Sequence, residues 1–140
     1  MKRMWLLAML TVSSMAHAEW TLVLKSPEFG ENYYLDLDTL KEVDGVMQIT
    51  TLQDFPGGKK EVCQGDTCAF LSSSRVSVRH VECNAGRQRQ THFTDYDSAM
   101  GQGQVLQTVS GGPKKRYFRW YYPAPGSFFE VLIQKVCKPS

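Results

Sequence analysis

The stretch Ser127-Phe128-Phe129-Glu130-Val131-Leu132-Ile133-Gln134-Lys135-Val136-Cys137 decides the fold. Ser127 and Glu130 stand at the spacing of a capping box, in which two side chains take up backbone N–H groups that the first helical turn leaves unpaired. Phe129, Leu132, Ile133, Val136 and Cys137 then recur at helical spacing on one face. Pro123, Pro125 and Gly126 break whatever precedes them. A helix this one-sided needs an apolar surface to lie on, and it carries a cysteine on its buried side.

Working outward from the helix, the rest of the chain reads as short strands. Residues 20–25 alternate Trp20, Leu22 and Leu24 against Thr21, Val23 and Lys25. Residues 32–37 place Tyr33, Leu35 and Leu37 on one face, after which Asp38 caps a short turn over residues 39–42. A long strand over residues 46–55 ends at Pro56-Gly57-Gly58. Residues 59–71 form an excursion. Strands over 72–83 and 87–96 flank Asn84-Ala85-Gly86, a hairpin turn. Further strands are expected over 104–110 and 115–122. The expected fold class is therefore α+β: a mostly antiparallel sheet of about six strands packed against a C-terminal α-helix. One detail conflicts with that picture. Val76 and Val78 share a face, whereas Cys83 falls on the other, so a bulge or an end twist is needed to bring Cys83 to the core.

The N-terminus bounds the compartment. Lys2 and Arg3, an apolar run over residues 4–12 and Ala16-His17-Ala18 have the layout of a secretory signal peptide cut before Glu19. Residues 1–18 are thus expected to be removed, leaving 19–140 as a single domain in the periplasm or secreted. The run is too short to span a bilayer, no cysteine follows it to take a lipid, and no later stretch is apolar enough to cross a membrane. The whole chain has 16 basic and 14 acidic residues, and loss of Lys2 and Arg3 leaves the processed form balanced. That balance speaks against nucleic acid as a partner, which calls for a basic footprint.

Four cysteines in an exported chain read as disulfides. Of three connectivities, Cys63–Cys68 and Cys83–Cys137 are favoured. The first pair flanks the turn sequence Gln64-Gly65-Asp66-Thr67. The second joins a strand end to the terminal helix. A zinc site or a redox pair is the alternative use, but the spacing lacks the CxxC units that either chemistry prefers.

No catalytic set assembles. His80 and His92 lie in strands on either side of one hairpin and could meet, but no third metal ligand is fixed by spacing. Asp36/Asp38 and Asp95/Asp97 are spaced to share a strand face, yet Asp38 reads as a cap and Asp97 as the start of a loop. Ser72-Ser73-Ser74 lacks the context of a nucleophile, and Gly101-Gln102-Gly103 reads as a turn. No cofactor, metal or catalytic residue is therefore expected. The stretch Lys114-Lys115-Arg116-Tyr117-Phe118-Arg119-Trp120-Tyr121-Tyr122 is more informative. As a strand it would turn Phe118, Trp120 and Tyr122 to one face and Tyr117, Arg119 and Tyr121 to the other. Tyrosine and arginine are enriched where binding energy concentrates, so Tyr117, Arg119 and Tyr121 are the candidate binding residues.

Taken in order, these segments resemble the surface-adhesin protein E-like family of Gram-negative bacteria. The resemblance rests on Trp20, Tyr33-Tyr34-Leu35-Asp36-Leu37-Asp38-Thr39-Leu40 and Leu52-Gln53-Asp54-Phe55. It continues through Ser73-Ser74-Arg75, Glu82-Cys83, Arg87 and Met100-Gly101-Gln102-Gly103. Trp120, Pro125-Gly126-Ser127, Glu130 and Val136-Cys137-Lys138 complete it. It implies an antiparallel sheet with a C-terminal helix, tied by Cys83 and Cys137, and a surface binding role of the adhesin type. The Cys63–Cys68 excursion looks like an addition to the family pattern. The function expected is an exported, non-enzymatic binding module acting on a protein ligand of the host matrix or the envelope. The alternatives are a periplasmic envelope interaction protein, or a small redox or metal protein using Cys63 and Cys68. An exposed sheet edge would also allow a homodimer.

Overall fold

Alternating apolar and polar residues, punctuated by turn formers, produce a meander of strands. The computed structural model describes residues 18–26, 30–56 and 60–138, with the side chains of 60–64 and 68–70 outside that description. Residues 1–17 of the expected signal peptide therefore lie outside the described residues. The strands are β1 (Thr21–Ser26), β2 (Glu31–Val43), β3 (Val46–Asp54), β4 (Lys60–Gln64), β5 (Thr67–Ser72), β6 (Ser74–Glu82), β7 (Arg87–Tyr96) and β8 (Val105–Ser110). They are followed by helix α1 (Phe128–Cys137). One six-stranded antiparallel sheet has the order β1-β2-β3-β6-β7-β8, and β4 and β5 form a separate hairpin. The α+β expectation holds, as does the disulfide between Cys83 and Cys137.

Three local expectations change. The turn over residues 39–42 does not interrupt β2, which runs on with a register shift between Asp36 and Lys41. Thr39 makes this workable: its hydroxyl donates to the Asp36 carbonyl at 2.7 Å and accepts from Thr50 N–H at 2.9 Å, standing in for a backbone partner. The excursion over 59–71 is itself a hairpin, with Cys63 opposite Cys68 in backbone register. The disulfide expected there involves side chains outside the described ones. The strand over 115–122 does not form. A turn of 3-10 helix spans Arg116–Phe118, and only Tyr121 pairs with the sheet, as an isolated bridge to Gln88.

That last region has a simple logic. β8 pairs with β7 as far as Ser110 opposite His92, and Gly111 N–H still reaches Thr91 O. The chain then leaves the sheet and returns at Tyr121, which exchanges two backbone hydrogen bonds with Gln88 at 2.8 and 3.0 Å. Residues 112–120 are thus a strap thrown out from an interrupted edge strand. The fully buried Phe118 anchors it, 6.2 Å from the Phe93 ring. Gly111 is needed beneath this anchor, since a Cβ there would lie 2.9 Å from the Phe118 ring. Trp120 lies under the guanidinium groups of Arg87 and Arg89, at 4.7 and 5.2 Å from its ring centre.

Helix α1 begins as its sequence dictates. Ser127 accepts from Glu130 N–H at 3.4 Å, and the Glu130 carboxylate accepts from Gly126 N–H at 3.1 Å. Phe128, Leu132 and Val136 are buried on Leu35, Ile49 and Val81, and Tyr33 stacks on Phe128 at 4.3 Å. The conflict over Cys83 also resolves. The helix lies on the face that carries Ser77, Arg79 and Val81, where Cys83 already points by strand alternation. Val76 and Val78 face the other side, where Val76 packs against Gly101. The irregularity in this strand pair falls between Val78 and Arg79, before Cys83, and is not what brings the cysteine to the helix.

Candidate functional site

The helix is too short to cover its face of the sheet. Its apolar residues reach Leu35, Ile49 and Val81, and beyond them the same face turns polar. The residues there follow from register. Thr51 lies opposite Ser77, Gln53 opposite Arg75, and Arg79 opposite both Ile49 and Gln90. The strap rises on the far side. Between helix and strap runs an open groove of about 510 Å³, floored by Gln53, Arg75, Arg79, Gln88 and Gln90. Its walls are Tyr117, Tyr121 and Tyr122 from the strap region, the 123–124 turn, and Ser127 with Phe129 from the helix start.

The two arginines of the floor stand in opposite electrostatic situations. Arg75 makes a two-pronged ion pair with Asp95, Nε to Oδ1 at 2.7 Å and Nη2 to Oδ2 at 2.9 Å. Asp95 is fully buried and also accepts from Gln107 at 2.8 Å. Arg79, only 6 % exposed, has neutral partners instead. Its Nε donates to Thr51 Oγ1 at 3.1 Å and its Nη1 to Gln88 Oε1 at 3.0 Å, while Phe129 lies 4.9 Å above the guanidinium. Among the described residues no carboxylate pairs with it. Burial, and then the neighbouring Arg75 charge, pull its pKa down to about 10. It remains a cation at neutral pH.

A hydrogen-bonded set closes the β2 end of the floor. The Tyr33 hydroxyl donates to the Glu31 carboxylate, and Gln53 Nε2 donates to the same Glu31 oxygen at 3.2 Å. Burial and the Glu31 contact raise the Tyr33 pKa to about 12. At the other end Ser77 donates to Gln90 Oε1 at 3.2 Å, and Gln90 Nε2 donates to the Tyr117 carbonyl at 3.2 Å, fastening the strap to the floor.

Of the three binding residues expected from sequence, Tyr117 is 62 % exposed and Tyr121 47 %, and both rim the groove. Tyr121 also donates to the Arg116 carbonyl at 3.1 Å, which steadies the strap. Arg119 is exposed but does not line the groove. The alternation that grouped it with the tyrosines belonged to a strand that does not form. The floor residues Arg75, Arg79, Gln53, Gln88 and Gln90 were missed. The usable signal was Arg75-Val76-Ser77-Val78-Arg79, a central strand with two arginines on one face, where a core face should be apolar.

The remaining candidates have local roles. His80 Nε2 contacts Gln48 Oε1 at 3.1 Å and His92 Nδ1 contacts Thr91 Oγ1 at 3.3 Å. Among the described residues no three potential metal ligands cluster. The Asp36 carboxylate accepts from Asp38 N–H at 3.2 Å, and Asp97 from Gln104 N–H at 2.8 Å, each holding a local turn. No helix among the described residues is long and apolar enough to cross a membrane.

Comparison with known proteins agrees with this architecture. The profile described as surface-adhesin protein E matches residues 20–138. Solved structures of Haemophilus influenzae protein E share the fold. Crystal form II superposes with a TM-score of 0.54 at 17% identity, covering 75% of this chain and 79% of that one. Protein E from a non-typeable strain gives 0.51 at 15% identity, covering 83% and 74%. Among curated proteins no relative matches.

Proposed function

The chain belongs to the surface-adhesin protein E family, and we propose that it is an exported, non-enzymatic binding module whose groove between helix and strap engages a protein ligand. The observation that carries this reading is the groove itself. A site of about 510 Å³ is within the range used for specific recognition, and exposed tyrosines rim it. Tyrosine contributes large contact area with few rotatable bonds, which suits a binding surface. The disulfide between Cys83 and Cys137 ties the far end of the helix to the hairpin that carries the floor. Cleavage after Ala18 would release this domain outside the cytoplasm, where Tyr117, Arg119 and Tyr121 can meet a host-matrix or envelope protein. The outermost strands of the sheet, β1 and β8, are the places where a second copy could add.

The test is binding of the processed chain to immobilised host-matrix proteins, compared with the Tyr117→Ala/Arg119→Ala/Tyr121→Ala variant. Saturable binding at micromolar concentration, weakened about tenfold or more in the variant, supports the reading. Absence of binding by the unaltered chain, or equal binding by the variant, removes the groove rim from the account.

A further inference from the structure

The floor of the groove holds a charge that the fold leaves unanswered. Arg75 and Arg79 are two turns of the pleat apart on the same face of β6, yet only Arg75 has its carboxylate. A buried cation without a counter-charge is costly to a fold, and Arg79 meets only the neutral oxygens of Thr51 and Gln88. Those two bonds use Nε and one proton of Nη1. Among the described residues no acceptor takes a hydrogen bond from Nη2, although Arg79 lines the groove.

Gln88 adds a second donor. Because a guanidinium can only donate, its bond fixes the Gln88 amide with Oε1 towards Arg79 and leaves Nε2 on the other branch. No acceptor among the described residues takes a bond from Nε2, and Gln88 is also part of the floor. The site thus offers a full positive charge and unengaged N–H donors in a partly desolvated setting. Phe129 lies on one side and the phenol rings of Tyr117 and Tyr121 on the other.

We propose that this floor is a carboxylate seat: an acidic side chain of a partner polypeptide enters between helix and strap and pairs with Arg79, assisted by Gln88. This inference rests on the groove being the binding site and names the chemistry it takes. A carboxylate fits because its planar oxygens match the flat guanidinium edge. A polypeptide source is favoured over a sugar acid or a phosphate because the walls are tyrosine, proline and phenylalanine, a surface suited to a chain with apolar groups flanking the acid. The ligand would supply the counter-charge that Asp95 supplies to Arg75.

The experiment uses isotope-labelled processed chain and small probes, so that it does not depend on finding the natural partner. The Nε–H signal of Arg79 and the side-chain amide signals of Gln88 and Gln90 are followed during titration. The probes are N-acetyl-glutamate amide, its neutral glutamine twin, inorganic phosphate and N-acetylneuraminic acid, all at constant ionic strength. The expected result is a saturable shift with the glutamate probe, no saturation with the glutamine twin, and about tenfold or greater weakening in Arg79→Met. No saturation by the glutamate probe overturns the proposal, as does an equal response to the glutamine twin. Tighter saturation by phosphate or by the sugar acid overturns it in favour of that ligand. If Arg79→Met fails to fold, the glutamate and glutamine twins on the unaltered chain still decide. Failure here with retained matrix-protein binding would remove the seat and leave the binding module standing.

Discussion

The helix-side face of the sheet has two halves made by the same strands. Under α1, Leu35, Ile49 and Val81 meet Phe128, Leu132 and Val136 in an apolar core. Under the strap, Arg75, Ser77, Arg79, Gln88 and Gln90 take the equivalent positions, with Phe93 and Phe118 as the apolar pair among them. On β6 the change takes a single step of two residues, from Val81 to Arg79. Phe129, in the first turn of the helix, marks the boundary by covering the guanidinium. The difference separates two jobs. One half holds the domain together by burying area, and the other spends its buried positions on groups that point into an open groove.

Breaking the first half should have the largest consequences. Cys83 and Cys137 close a separation of 54 residues, and on the chain-entropy model their replacement by serine lowers stability by about 4 kcal/mol. Urea unfolding of Cys83→Ser/Cys137→Ser measures it, and a loss below about 1 kcal/mol would mean that the helix is held by packing alone. Leu132→Ala, at a fully buried position, should cost about 3 kcal/mol, through lost transfer energy and the cavity left behind. A matching change in the other half should behave differently. Arg79→Met replaces an unpaired buried cation by an apolar chain of similar length. It should cost less than Leu132→Ala, about 1 kcal/mol or under, because relief of the unpaired charge offsets the bonds that Gln88 and Thr51 lose. A loss as large as that of Leu132→Ala would show that Arg79 holds the fold, and the contrast between the halves would collapse.

The apolar half was the legible one. Helical spacing, the capping box at Ser127 and Glu130, and strand alternation in β2 and β3 each follow from local chemistry, and together they identify the helix, most strands and the cysteine pair Cys83 and Cys137. The polar half was hidden for physical reasons. Alternation marks two faces of a strand but does not say which one is covered, and Val76 and Val78 made the wrong face of β6 look like the core. Val76 packs under a loop closed by tertiary bonds, among them Met100 N–H to Asp54 Oδ1 at 2.9 Å and Gly101 N–H to Ser74 Oγ at 2.9 Å. The strap misled in a related way. Residues 115–122 have strand-like alternation, but Phe118 packs against Phe93 from a 3-10 turn outside the sheet. Tyr117 and Tyr121 were singled out from the sequence and do rim the groove, although the strand that first grouped them is absent.

The smallest effect concerns pH and asks whether the burden of buried charge extends to the opposite face. His80 lies on β6 beside Arg79, with its ring turned the other way, opposite Arg89 in register and hydrogen-bonded to Gln48. Burial lowers its pKa below 6.5, and the charges of Arg89 and His92 push it in the same direction. In the unfolded chain an unperturbed histidine titrates near 6.5. Just below that pH the unfolded state therefore holds more protons than the folded one, so stability falls on acidification through this window and is regained as pH rises. Carboxylates titrate mainly at lower pH, which leaves the interval from about pH 5 to 6.5 to the histidines. His80→Gln should flatten the dependence of the urea midpoint on pH there while leaving the midpoint at pH 8 almost unchanged. Parallel slopes in the two proteins would mean that His80 is protonated without penalty.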